Sequence, residues 1–437
     1  MIGMYRPCGT AEAGIGMLYY LTDCTGTGGR LKKEPQDFIV REVADPLPQS
    51  ENGKYTIADV TSTNWETNRL IRLVSKSMRI SREKVGFAGT KDKRAVTTQR
   101  MSFECDPSKL GLVTLEDVEF SNVFRSDTPV RMGDLKGNRF VINVHDTDTS
   151  PSETREIIDR VTSEVSETGG FPNYFGVQRF GIARPVTHLV GERIVKGDLQ
   201  GAVETYLFHP SDSEEEIVRN TREELRKCNG DYSSIDLLLP KTMGFEQILV
   251  NHLRENPGDY KGAIEVMPNN LQMMFTHAYQ SYLYNFMLSE RMARGMPLDR
   301  PVVGDTVIPV DADGVPSHEE PVTVTDRNIR IVERQVSKGK AYVAITVFGS
   351  DGSFSEGEMG EIERKIVSEA GVEAEDFMVT GLPRCCATGD WREILCRVRN
   401  LETAIDDSGY SLGFFLTKGN YATCLMREYL KADMNRY

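Results

Sequence analysis

One aspartate lies in a strongly basic stretch of the chain. Asp92 is flanked by Lys91, Lys93 and Arg94 within VGFAGTKDKRAVTTQR, residues 85–100. Because neighbouring cations favour the ionised form of a carboxyl group, Asp92 suits a nucleophile better than a general acid. The alternative is an exposed loop in which Asp92 only pairs with a neighbouring lysine. This stretch by itself leaves both interpretations open.

The charge of the chain is unevenly distributed. The net charge of −13 argues against a polyanionic partner, yet residues 69–100 contain ten Lys or Arg residues against two acidic ones. Acidic residues concentrate elsewhere, as in 211–217 and 355–363. Phosphate binding depends on local Lys and Arg clusters, so the sequence predicts one surface suited to nucleic acid on an otherwise acidic protein.

Composition and motifs argue against several functional classes. At 437 residues the chain is expected to form two domains. Its eight cysteines include no CxxC pair, and they are predicted to be reduced and mostly buried. No histidine pattern indicates a metal site, and no glycine-rich motif indicates a nucleotide cofactor. No apolar run is long enough for a membrane span and the start of the chain does not resemble a signal peptide, so we expect a soluble, cytoplasmic protein.

The predicted elements place Asp92 on a loop between two strands. Alternating apolar residues end the segment 28–43 at Phe38 and Val40, and 54–62 is a second predicted strand. The helical period of 63–80 predicts a helix capped by Thr63 or Asn64. VGFAG and TTQRMSFE, on either side of Asp92, are predicted as strands.

The remaining chain contains further clear signals. Residues 135–146 predict a strand, and 151–170 a helix capped by Ser152 and ended by Gly169. An aromatic loop follows at 171–182. A long helix is predicted near 267–295, and the chain closes with the strand YSLGFFL and an amphipathic helix.

Four separated stretches of the chain share an unusual mixture of residues: LKKEPQDF (31–38), GTKDKRA (89–95), NYFGVQRFG (173–181) and FFLTKGNYATCLMREY (414–429). Together they resemble the TruD family of pseudouridine synthases. LKGN (135–138) and AYQSYLYN (278–285) extend the resemblance, and all six occur in the order of the family.

The resemblance implies a set of site residues. Asp92 matches the family's catalytic aspartate, Lys32 the basic residue before the PxDF motif, and Phe38 its aromatic. Asn173 and Phe175 match the Asn and Phe of the NYFGxQRFG motif.

Further candidate site residues are aromatic or basic. Tyr421 matches a carboxyl-terminal aromatic, although Thr417 and Asn420 replace the usual proline and serine nearby. Phe38, Phe175 and Tyr421 could stack on a flipped base or could simply pack in the core. The residues expected to hold phosphates are Arg179, Lys32 and the basic stretch from Arg69 to Arg100, which includes Lys91, Lys93 and Arg94.

The resemblance also implies the fold and the reaction. The expected fold is α/β (α+β), with a largely antiparallel catalytic sheet formed by 1–190 and 393–437 and an inserted domain at 191–392. The expected activity is isomerisation of uridine to pseudouridine in transfer RNA, usually at position 13, without metal, nucleotide or redox cofactor. Whether Asp92 attacks C1′ or removes the C2′ proton stays open. The alternative is a non-catalytic RNA-binding protein, for which an acid that repels phosphate has no evident use.

Overall fold

The computed structural model describes residues 5–211, 213–234, 239–312, 314–406 and 408–437. The strands are β1 (Arg6–Pro7), β2 (Tyr19–Tyr20), β3 (Gly28–Arg30), β4 (Phe38–Val43), β5 (Tyr55–Thr63), β6 (Val85–Phe87), β7 (Val96–Phe103), β8 (Val118–Ser126), β9 (Gly137–Thr147), β10 (Phe171–Pro172), β11 (Thr306–Pro309), β12 (Val322–Thr323), β13 (Ala341–Val347), β14 (Asp390–Glu393), β15 (Leu395–Cys396), β16 (Arg399–Asp406) and β17 (Gly409–Thr417). The helices are α1 (Thr10–Ala13), α2 (Thr67–Ser77), α3 (Pro151–Thr168), α4 (Thr187–Val195), α5 (Leu199–Phe208), α6 (Glu216–Lys227), α7 (Gly244–Glu255), α8 (Tyr260–Glu265), α9 (Asn269–Ala293), α10 (Ile329–Ser337), α11 (Gly357–Ala370) and α12 (Ala422–Leu430).

A large mixed sheet joins the two ends of the chain. Its strand order is β16-β17-β9-β4-β7-β5-β8, with β3 added to β9 and β6 added to β7. Among the described strands of this sheet, only β4 and β7 pair in parallel, with Ile39 opposite Val96. The prediction of a largely antiparallel sheet is therefore confirmed, whereas β8 was not predicted.

One face of this sheet carries a row of aromatic rings across three strands. Phe38 on β4 contacts Phe140 on β9 edge to face, with ring centroids 6.1 Å apart. Phe140 in turn stacks on Phe414 of β17 at 5.3 Å. The three rings share one face of the sheet, because alternate side chains of a strand point to the same face. All three residues are almost fully buried. The row fixes the relative positions of the amino-terminal and carboxyl-terminal strands.

Two predicted helices begin at residues other than those expected. Helix α2 is capped by Glu66, whose carboxylate accepts hydrogen bonds from Asn68 N and Arg69 N. Asn64 instead adopts a left-handed backbone with φ 61° and precedes the helix. Helix α3 is capped by Ser150 rather than by Ser152, since Ser150 forms a reciprocal capping box with Glu153.

The segment between the two parts of the large sheet contains helices α4 to α11 and a four-stranded sheet of order β12-β11-β13-β14. Its entrance and exit are joined, because β10 pairs with β15 through Phe171 and Cys396. Inside the segment, Arg291 and Asp305 form a completely buried ion pair at 2.7 Å. One continuous hydrophobic core includes residues of this segment and of the large sheet. The exact domain boundaries at 190 and 392 stay predictions.

Two further sequence-based expectations concern the cysteines and membrane spans. All eight cysteines are free thiols, but only Cys385, Cys396 and Cys424 are buried, so the expectation that most are buried was wrong. Within the described ranges, no helix has both the length and the apolar composition to cross a bilayer.

Candidate active site

Asp92 forms an ion pair with a lysine distant in sequence. Lys32 Nζ lies 2.9 Å from Asp92 Oδ1. The Lys32 side chain is 11% exposed, whereas that of Asp92 is 37% exposed. The carboxylate therefore remains accessible from outside while its counter-charge is covered.

Lys32 is held in an unusual backbone conformation. Its φ is 54°, in the left-handed region that non-glycine residues rarely adopt. Its ammonium also lies over the Phe38 ring, 4.1 Å from the centroid. Such strained residues persist where surrounding structure over-determines them, and they concentrate at functional sites. Lys32 thus connects the carboxylate of one loop to the first residue of β4.

Two of the three cations beside Asp92 in sequence have other partners. Lys91 Nζ lies 2.5 Å from Glu42 Oε2, and both side chains are nearly buried. Arg94 donates to the carbonyl of Lys33 at 2.6 Å, and Lys93 is exposed. The expected lysine pairing of Asp92 therefore comes from Lys32 and not from its sequence neighbours. Phosphate contacts by these three basic residues stay predictions.

A second cluster surrounds Phe175, which is 8% exposed. Its ring contacts Tyr284 at 5.2 Å and Tyr421 at 6.3 Å, both edge to face. The guanidinium groups of Arg392 and Arg179 lie 4.2 Å and 5.5 Å from the same ring centroid. Side chains from four separate parts of the chain thus meet at one aromatic ring.

Arg179 has an unused hydrogen-bond donor in this cluster. Its Nε is buried, and it has no hydrogen-bond partner within the described part of the chain. Buried polar groups are normally paired, so this donor is a candidate for a substrate contact.

Asn173 is buried and engaged within the protein. Its amide donates to Glu393 O at 3.0 Å, and its Oδ1 accepts from Arg392 Nη2 at 2.7 Å. These contacts tie Asn173 to β14. The base contact stays a prediction.

Tyr421 occupies the N-cap position of α12 and is partly buried. The two departures from the family pattern lie just before it and bind each other. Asn420 Nδ2 donates to Thr417 Oγ1 at 2.8 Å and to Thr417 O at 3.3 Å. This pair closes the turn that presents Tyr421 to Phe175, so the two substitutions act together.

The large sheet connects the two clusters. The Asp92–Lys32 pair sits at Phe38, and the aromatic row from Phe38 leads to Phe414 on β17. Strand β17 then ends at Thr417, four residues before Tyr421. Phe38 and Phe175 also belong to the same hydrophobic core.

Sequence reasoning missed Arg392, Tyr284 and Glu42. Arg392 lies in the strand-like stretch WREILC, where a charged residue among apolar ones was the only available signal. Tyr284 lies within AYQSYLYN, a motif noted for the resemblance but assigned no role. No local pattern marks Glu42 as the partner of Lys91.

These features define an α/β protein with a carboxylate-centred site. An accessible, ion-paired aspartate lies on the loop between β6 and β7 of the large sheet, and aromatic and basic side chains from four parts of the chain gather around Phe175. Such a site suits nucleophilic or base chemistry on a substrate that carries aromatic rings and negative charge.

Comparison with known proteins identifies the family. The family model described as tRNA pseudouridine synthase D (TruD) matches residues 14–429. A Methanosarcina mazei protein named "Probable tRNA pseudouridine synthase D" is 39% identical over 429 residues, covering 97% of this chain and 98% of the relative. One from Natronomonas pharaonis with the same name is 38% identical over 436 residues, covering 97% of each chain.

A solved structure agrees with this result. A crystal structure from Methanosarcina mazei that carries the TruD name matches with a TM-score of 0.84 at 38% identity, covering 99% of this chain and 100% of that one. The chain belongs to the TruD family, as the sequence resemblance indicated.

Proposed function

We propose that this protein isomerises uridine to pseudouridine in transfer RNA, with uridine 13 as the target. The observation that carries the proposal is the accessible Asp92 carboxylate paired with the covered ammonium of Lys32. A protein that only binds RNA gains nothing from an exposed carboxylate beside a phosphate-binding surface. The names of the relatives support the same reaction.

The reaction needs only groups of the kinds present at this site. The N1–C1′ bond of uridine breaks and a C5–C1′ bond forms, while C5 loses a proton and N1 gains one. Atoms and electrons balance without a redox partner. An ionised Asp92 can act either by attacking C1′ or by removing the C2′ proton, and the Lys32 ammonium can stabilise negative charge that develops on the detached base.

The target base must leave its stack to reach Asp92, and aromatic side chains can receive it. Base stacking on an aromatic ring contributes roughly 1–3 kcal/mol. Tyr421 is partly exposed and is better placed for this than Phe38, which is 1% exposed and lies beneath Lys32. Phe175, at 8% exposure, would then support Tyr421 from behind.

The outer face of α2 is suited to the RNA backbone. Arg69, Arg72 and Lys76 are exposed, and their spacing places them on one side of the helix. Thr67, at the start of α2, accepts a hydrogen bond from Lys91 N at 2.9 Å. The basic face therefore begins beside the loop that carries Asp92. We assign this face to phosphates that flank the target.

The remaining parts of the proposal concern organisation and location. We propose that 1–190 and 393–437 form the catalytic domain, with 191–392 as the inserted wall of the RNA cleft, and that the protein acts in the cytoplasm without a metal or nucleotide cofactor. The paired strands β10 and β15 support this division because they close the insertion at its base.

The test is a single-turnover assay on an unmodified transfer RNA transcript folded beforehand and then transferred to EDTA. Pseudouridine is mapped by base-specific chemistry. The proposal predicts product at position 13 and none in a transcript that carries cytidine there. Absence of pseudouridine at every position, with intact RNA binding, would overturn the catalytic proposal.

A further inference from the structure

The inserted segment supplies three of the side chains that contact Phe175, those of Asn285, Tyr284 and Arg392. Asn285 of α9 accepts from Phe175 N at 2.9 Å and donates to Phe175 O at 3.1 Å. Tyr284, its neighbour, places its ring edge to face against Phe175 and donates its hydroxyl hydrogen to Glu393 O at 2.8 Å. Both the backbone and the ring of Phe175 are therefore fixed from the insertion.

Arg392 of β14 adds a charged side chain to the contacts around Phe175. Its Nη2 donates to Asn173 Oδ1 at 2.7 Å, and its Nε donates to Asn173 O at 3.2 Å. Both terminal nitrogens also lie 3.2 Å from Gly419 O, two residues before Tyr421. The same guanidinium lies 4.2 Å from the Phe175 ring centroid. One side chain thus ties the aromatic loop to the turn that carries Tyr421.

The chemistry of arginine matches this arrangement. A planar guanidinium with five donors can satisfy several carbonyls in one plane while a ring covers its face, which a lysine ammonium cannot reproduce. Arg392 is only 9% exposed. A buried arginine is costly unless its donors are used, and here the acceptors belong to the two segments that carry Phe175 and Tyr421.

We propose that Arg392 is a positioning residue for the isomerisation, through which the inserted segment sets the distance between Phe175 and Tyr421. The inference rests on the proposed function. Arg392 need not touch the RNA, so its loss should slow the chemical step without weakening RNA binding. Misplacing a reacting group by about 1 Å can cost roughly 100-fold in rate.

The experiment compares Arg392→Met, Arg392→Lys and a matched control in the full-length chain. The control is Arg397→Met. The Arg397 side chain is partly buried, its guanidinium lies 5.1 Å from the Tyr342 ring centroid, and it donates to Val336 O. These contacts resemble those of Arg392 but lie outside the Phe175 cluster. Single-turnover rates at saturating transfer RNA, RNA dissociation constants and melting temperatures are measured for each protein.

We expect Arg392→Met to lower the saturating rate by roughly 100-fold while the RNA dissociation constant stays within about twofold. Arg392→Lys should fall between this variant and the wild type, since it keeps the charge but not the fork of donors. Arg397→Met should retain the wild-type rate, even if its melting temperature falls as much as that of Arg392→Met.

Three results would overturn the inference. They are an unchanged rate in Arg392→Met, a rate loss matched by Arg397→Met at equal melting temperature, and a loss seen only in RNA affinity. If Arg392→Met does not fold, a folded Arg392→Lys with the wild-type rate would overturn it as well. A wild-type protein that forms no pseudouridine would refute the proposed function instead, so the two failures are distinguishable.

Discussion

Replacing Lys32 by Met should slow catalysis without abolishing it. Methionine keeps most of the aliphatic volume of lysine and removes the charge that lies 2.9 Å from Asp92. In the free protein Asp92 is 37% exposed, so water can partly replace the lost ammonium. Once RNA covers the site this water leaves, and phosphates add negative charge nearby. The effect of Lys32 should therefore be largest in the bound complex.

The size of the effect follows from the ion pair. Two unit charges at this separation interact by about 6 kcal/mol at an effective dielectric constant of about 20. Partial exposure and reorganisation reduce the net contribution of such a pair well below this figure, to about 2 kcal/mol, the size of a hydrogen bond to a charged group. A barrier raised by that amount corresponds to a loss of roughly 30-fold in rate.

The assay is a single-turnover measurement at saturating transfer RNA, with Lys33→Met as the control. Lys33 is adjacent in sequence but forms a solvent-exposed pair with Asp146 at 3.0 Å. Both variants lose one positive charge, so RNA affinity should fall equally and slightly in both. The rate of Lys33→Met should stay within about twofold of wild type. Equal rates for the two variants would refute the role of Lys32.

The remaining predictions concern the other parts of the site and the fold. Tyr421→Ala should lower turnover far more than melting temperature, while Tyr421→Phe should be mild; parallel losses of both in the alanine variant would indicate a packing role. Replacing Arg69, Arg72 and Lys76 together by glutamine should reduce the slope of log affinity against log salt by about two to three, and an unchanged slope would place the phosphates elsewhere. Burial, followed by the charge of His209, lowers the pKa of His188 from 6.5 to about 4, so its neutral form stabilises the fold at neutral pH and this contribution is lost as pH falls from about 6.5 towards 4. Between pH 7 and pH 5, the free energy of unfolding measured by denaturant titration should therefore fall by about 2 kcal/mol less in His188→Phe than in the wild type. An identical pH dependence of the two proteins would contradict this.

The parts of the fold that follow local periodicity could be predicted from the sequence. Helix α3 and helix α9 lie close to their predicted ranges, because their apolar residues recur at the helical period and α3 ends at Gly169 in the left-handed conformation. Strands β4 and β9 follow from apolar alternation in the same way. Strand β8 escaped prediction because its apolar residues do not alternate regularly: its register against β5 shifts between Ile57 and Asp59, close to Asn122, which has a left-handed backbone.

The candidate site was only partly predictable for a physical reason. The resemblance supplied Lys32 and Asp92, but nothing in the local sequence shows that these two side chains pair across 60 residues. Arg392 contacts Asn173 across 219 residues. The Lys32–Asp92 contact depends on the pairing of β4 with β7, and the Arg392–Asn173 contact depends on how the insertion packs against the sheet. Local periodicity does not specify either arrangement.

The most direct test of the catalytic role of this site is the single-turnover rate of Asp92→Asn on transfer RNA, measured beside its RNA affinity. Asparagine nearly preserves the shape of the side chain but removes the charge that pairs with Lys32. We predict no detectable pseudouridine, with RNA binding equal to wild type or slightly tighter because a charge that repels phosphate is gone. Pseudouridine formation by Asp92→Asn at a rate near that of the wild type would contradict the assignment of Asp92 as the catalytic residue.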